Sequence, residues 1–176
     1  MPPIGSSTWS RWFDDDSRPV IRRATVVAVG SLNGWAAQGA SDYLKRLQRF
    51  FPVEVVEVPE EDLNRRSQGE VLAAEATRLL RRVPAGAYQI ALDRDQGEPL
   101  ASEKLARRLN SLGLSGQSHV AFLLGGPLGL SPEVLGRVDN VVSFGPVTLP
   151  HALARVVLLE QLYRAAKINR GEKYHW

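Results

Sequence analysis

The chain has 176 residues, 44% of them hydrophobic, with 22 basic against 19 acidic side chains and no cysteine. That is one domain's length with enough apolar content to bury a core, and the lack of cysteine excludes disulfides, thiolate metal sites and a thiol nucleophile. A net charge of +3 permits a polyanionic partner without demanding one, and no stretch approaches the ~18 apolar residues of a membrane span.

Residues 1–23 combine Ser, Pro and the acidic triplet Asp14, Asp15 and Asp16 with no apolar periodicity. They read as a flexible extension ahead of a domain over 24–176. The segment has no apolar run of the kind a secretory signal needs, and the triplet is foreign to transit peptides, so a cytoplasmic protein is expected. Regular structure is expected from Ala24, where Ala24–Val29 is β-branched, apolar on both faces and stopped by Gly30, as in a buried parallel strand. A helix is predicted over 36–51 from the spacing of Tyr43, Leu44, Leu47 and Phe50. Val53–Val58 reads as a strand, residues 59–68 as a polar loop and 70–82 as a helix. Gln89–Leu92 is a short strand candidate, followed by a helix capped by Ser102 and running to about Leu112. His119–Leu124 is another buried strand, with a helix from about Ser131, a strand over 140–143 and a last helix over 150–168. Strands alternating with helices predict an α/β fold, with a mainly parallel sheet and helices on both faces.

In such sheets ligands bind beyond the carboxyl ends of the strands. Three of these ends are rich in Gly and Pro: residues 92–97, 125–131 and 144–151. The second, Gly125 to Ser131, matches neither a P-loop nor a dinucleotide fingerprint. Its glycines either let a backbone approach a flat ligand or simply make a tight turn with Ser131 as N-cap. The third sets Val147 and Thr148 between Pro146 and Pro150, which stiffens a stretch that is not a strand. It either presents N–H and C=O groups to an adenine edge or serves as a stiff connector, with His151 covering the helix start.

The segments LLGGPLGLSPEV (123–134) and VTLPHALARVVLLEQLYRAAKINRGEKYH (147–175) resemble the large-subunit ribosomal RNA pseudouridine N3-methyltransferase family, RlmH. VAVGSLNGWAAQGASDYLKRLQRF (27–50) and IALDRDQGEPLASEKLARRL (90–109) match its opening and middle. The resemblance spans Thr25 to His175. It implies the SPOUT fold with a C-terminal trefoil knot, a homodimer, and S-adenosyl-L-methionine as methyl donor. It also implies 23S rRNA in the assembled ribosome as substrate, methylated at N3 of a pseudouridine. By position, the cofactor residues would be Leu92, Gly125 and Phe144 through Leu149, that is Phe144, Gly145, Pro146, Val147, Thr148 and Leu149. The family's Tyr-His tail matches Tyr174 and His175, whereas Trp176 and Leu128 depart from its pattern. No metal is implied.

Methyl transfer to a base nitrogen needs alignment, a proton acceptor and a charge near the developing anion. His175 is a candidate acceptor, or else a frayed terminal residue. Arg155, one turn into the last helix, is a candidate for the charge, or else a surface ion pair. The same helix is apolar enough to be core, a dimer face or both. A SPOUT enzyme with another RNA target, a non-catalytic RNA- or ribosome-binding protein and a nucleotide-binding regulator are the rival readings.

Overall fold

The computed structural model describes residues 20–174. Most of the expected N-terminal extension, together with His175 and Trp176, lies outside them. The elements in chain order are β1 (Arg23–Val29), α1 (Gly34–Leu47), β2 (Val53–Val58), α2 (Gln68–Arg82), β3 (Tyr88–Leu92), β4 (Glu98–Pro99), α3 (Ser102–Leu114), β5 (His119–Leu124), α4 (Pro132–Leu135), β6 (Asn140–Ser143) and α5 (His151–Asn169). Six strands form one sheet in the order β2-β1-β5-β3-β6-β4, and every pairing is parallel.

Strand alternation divides the core in two. Val26, Ala28, Val120, Phe122 and Ile90 face the layer of α1, α3 and α5. Val27, Val29, Ala121, Leu123 and Ala91 face α2 and α4. Both sides of the central strands are therefore covered, which is why their sequences are continuously apolar rather than alternating. Helix α5 lies between α1 and α3, with Leu158, Leu159, Leu162, Ala165 and Ala166 fully buried. This part of its apolar character belongs to the core of the single chain, while Leu153, Val156 and Val157 stay half-buried.

Several boundaries differ from expectation for identifiable reasons. Ile21 is 2% exposed and the Arg22 N–H donates to Ser118 O at 2.7 Å, so the domain begins before Ala24. Helix α1 ends at Leu47, because Leu47 O accepts from both the Phe50 and Phe51 N–H groups and Pro52 holds Phe51 out of helical geometry. Helix α2 starts two residues early on a capping box: Ser67 Oγ accepts the Glu70 N–H at 3.4 Å and Glu70 Oε2 accepts the Ser67 N–H at 2.9 Å. Ser102 is not a cap. It is the first helical residue, and its hydroxyl donates to Gln161 Oε1 at 2.7 Å, tying α3 to α5. Ser131 does cap α4, accepting the Val134 N–H at 3.2 Å. The two-residue strand β4 had no signal in the sequence.

Candidate active site

Strands β3, β5 and β6 are neighbours, so the loops leaving their carboxyl ends meet. Together with the start of α5 they enclose a cavity of about 470 Å³. Its walls are largely apolar, with Leu92, Leu124, Phe144 and Leu149 among them. Of the expected cofactor residues, Leu92, Gly125, Phe144, Gly145, Val147, Thr148 and Leu149 line it, and Pro146 stands outside on the same loop.

Each loop is fixed by its own bonds. In residues 93–97, Asp93 Oδ1 accepts the Asp95 and Gln96 N–H groups at 2.9 and 2.8 Å. The Gly97 N–H closes the turn on Asp93 O at 3.1 Å. A Cβ on Gly97 would stand 2.4 Å from the Val142 carbonyl, so this loop lies directly on β6. In the glycine loop the Gly129 N–H donates to Gly126 O at 2.9 Å, with Gly129 at φ +78. A Cβ on Gly125 would stand 2.1 Å from Gly129 O. Backbone passes backbone there, and no other residue fits. In the third loop the buried Ser143 hydroxyl accepts the Gly145 N–H at 3.0 Å and lies 3.1 Å from Gly145 O and 3.3 Å from Arg94 O, which it can reach as donor. Arg94 spans the first and third loops through Asp95 and the Thr148 hydroxyl. Among the described residues, the Val147, Thr148 and Leu149 N–H groups make no hydrogen bond within the chain, so their donors are free for a ligand. Ser143 and Arg94, which stitch the loops together, escaped the sequence reading because their partners lie 49 and 54 positions away.

The expected catalytic residues are distributed otherwise. Arg155 is 1% exposed and does not line the cavity. Its Nη1 donates to Glu57 at 2.7 Å, and Nη2 to Val29 O and Gly30 O, both at 2.9 Å. It therefore fastens α5 to the end of β1, and neither a surface ion pair nor a charge facing the cavity describes it. Burial pushes this guanidinium down, opposed by Glu57. Burial would raise the Glu57 carboxyl in turn, but the Leu32 N–H, the Ser31 hydroxyl and Arg155 outweigh it and hold the group below the ordinary range.

Tyr174 packs edge-on against Tyr163 at 5.0 Å between ring centroids, with the Arg164 guanidinium over its ring at 4.7 Å. Burial, then a bond with the Tyr43 hydroxyl, pushes its phenol up to about 12, so it keeps its proton at neutral pH. Glu172, held by Arg49 and Lys167, fastens the same segment to the turn after α1 and to α5. Tyr163 lies ~18 Å along the axis of α5 from His151, which does line the cavity. Tyr174 is therefore remote from the cavity of its own chain. His175 lies outside the described residues. The described residues contain no cluster that could hold a metal ion and no helix long and apolar enough to cross a membrane.

Residues 23–175 match the family model described as "Predicted SPOUT methyltransferase". The ribosomal RNA large subunit methyltransferase H of Rubrobacter xylanophilus is 66% identical over 158 residues, covering 89% of this chain and all of its own. The chain belongs to the SPOUT methyltransferases, in the ribosomal RNA large subunit methyltransferase H family. The Listeria monocytogenes relative of the same name is 45% identical over 85% of this chain and 97% of its own. Among solved structures, a "Probable Methyltransferase" from Bordetella pertussis shares the fold at a TM-score of 0.50 and 19% identity, covering 84% of this chain and 97% of its own. The three-loop cavity is thus the candidate active site of a methyltransferase.

Proposed function

We propose that this enzyme transfers a methyl group from S-adenosyl-L-methionine to N3 of a pseudouridine in 23S rRNA, on the assembled ribosome in the cytoplasm. The observation that carries the reading is the cavity itself. It has apolar walls from Leu92, Leu124, Phe144 and Leu149, and backbone N–H groups at Val147, Thr148 and Leu149 that pair with no other described residue. Such a set suits a flat adenine whose ring edge asks for hydrogen bonds while its faces ask for apolar cover. The tight Gly125–Gly129 turn leaves room beside it. The names carried by the relatives support ribosomal RNA as the substrate class. The bound donor would supply a methyl group on a sulfonium sulfur. The chain's own part is to hold the reactants in line, which is worth ~7–11 kcal/mol, and to exclude water.

The active unit we propose is a homodimer, with the loops around the cavity threaded as a trefoil knot. The fastening of Tyr174 to Tyr163 supports a tail that serves the partner's cavity, since its own lies three turns of α5 away. His175 follows Tyr174 and would be delivered with it. Calorimetry with S-adenosyl-L-methionine and mass mapping of 23S rRNA from cells lacking the gene test the reading together. Donor affinity and the loss of one methyl from one pseudouridine are expected. A full set of rRNA methyls in the deletion strain would refute the substrate, and absent donor affinity would refute the enzyme.

A further inference from the structure

The side chains lining the cavity include three ionisable groups among the described residues, Asp93, Arg94 and His151. Two of them are committed. Asp93 closes its own turn through the Asp95 and Gln96 N–H groups, and Arg94 is held by Asp95 and Thr148. His151 makes no side-chain hydrogen bond to a described residue. It stands at the first position of α5, on the cavity wall. Its Nε2 and Glu60 Oε2 approach the same point from different elements, 3.4 and 3.3 Å from where a Cβ of Gly30 would stand. Gly30, at φ +81, keeps that gap between the end of β1 and the start of α5 open. Arg155 lies one turn further along, but its charge is turned onto Glu57 and two carbonyls.

An uncommitted imidazole on a cavity wall can accept a proton from a base held there. The geometry points to His151 as the catalytic residue that takes the N3 proton from the base in the cavity. This rests on the function proposed above. The base's N–H bond breaks toward the free imidazole nitrogen. The electron pair left on N3 forms the new N–CH3 bond, while the S–CH3 bond breaks and leaves its pair on sulfur. The imidazolium then passes its proton to water. The charged groups around His151 are Glu60, with Glu61 and Glu75 behind it, Asp93 and Arg94 from the loop after β3, and the Arg155–Glu57 pair. The acceptor thereby belongs to the chain that forms the cavity and does not depend on the tail.

The test uses full-length protein and purified ribosomes lacking the modification. A general base contributes about 10²–10⁴-fold to turnover. His151→Gln is expected to lower kcat at saturating S-adenosyl-L-methionine by that factor. Calorimetric affinity for the donor should stay within about threefold, roughly 0.6 kcal/mol. Added imidazole should restore part of the activity of His151→Ala. Independently of activity, diethylpyrocarbonate should label His151 in the free protein, and S-adenosylhomocysteine should slow that labelling. Unchanged turnover in His151→Gln would overturn the assignment. So would a loss explained entirely by donor affinity, or labelling indifferent to S-adenosylhomocysteine. A wild-type protein without donor affinity would refute the underlying function, and that result is separable from all of these.

Discussion

Arg155→Met removes a charged side chain that is 1% exposed and leaves a hydrophobic stem of similar length. Three acceptors each lose the Arg155 donor at once: Glu57 at 2.7 Å, and Val29 O and Gly30 O at 2.9 Å. Breaking a buried ion pair from one side costs about 3–5 kcal/mol. The Glu57 side chain is 35% exposed, so water reaches its carboxylate and the lower end applies, about 3 kcal/mol. For a domain of this size that is a fall of roughly 6–12 °C in Tm. Urea unfolding followed by circular dichroism at neutral pH measures it directly. The sign with pH follows from Glu57, whose carboxyl is held low in the fold. Its stabilising contribution is present above its unfolded value and fades as pH falls through the lower folded one. The gap between wild type and Arg155→Met should therefore narrow in acid. Arg155→Lys should recover only part of the loss, because one ammonium cannot reach all three acceptors. A loss under about 1 kcal/mol at neutral pH would refute this account, since it would make the three bonds energetically idle.

Two further outcomes follow from the core and the glycine loop. Glu75 is 2% exposed, its Oε1 accepts the Glu61 N–H at 3.0 Å, its Oε2 has no partner, and burial raises its carboxyl. Its favourable contribution is thus complete below the unfolded value and lost as pH rises through the higher folded one. Glu75→Gln should raise Tm at neutral pH, with the advantage vanishing in acid; equal shifts at both pH values would contradict it. Gly125→Ala forces a Cβ to 2.1 Å from Gly129 O, whereas Gly69, in the first turn of α2, has open space around it. The first should strain the loop by about 3 kcal/mol. If that strain falls on the bound form, donor affinity measured by calorimetry drops on the order of a hundredfold. Gly69→Ala should stabilise by about 0.4–1 kcal/mol and leave affinity unchanged.

The alternation of buried strands and helices was legible because each strand is apolar on both faces, which only a sheet covered on both sides explains. The three loops that line the cavity were legible too, since glycine and proline mark sharp turns at strand ends. What joins those loops was not. Ser143 and Arg94 act on partners that only the strand order brings near, and one chain's sequence does not reveal strand order. The position of Arg155 was misjudged for a related reason. A charged residue near a helix start reads as exposed, and its burial depends on Glu57, 98 positions earlier. The last helix left core and dimer face both open, and its packing between α1 and α3 answers for the core alone.

The strand order has a consequence for how the molecule comes into being. Strand β5 seats itself between β1, formed some 90 residues earlier, and β3, so the centre of the sheet cannot close until two-thirds of the chain exists. Pairings over such spans are slow to form. The cavity requires more still, because its wall includes Pro150, His151 and Ala154 at the start of the final helix. During synthesis the growing chain therefore carries a bare β1 edge and no complete cavity until its last segment has left the ribosome, and a product shortened ahead of α5 would be an aggregation-prone sheet without that cavity.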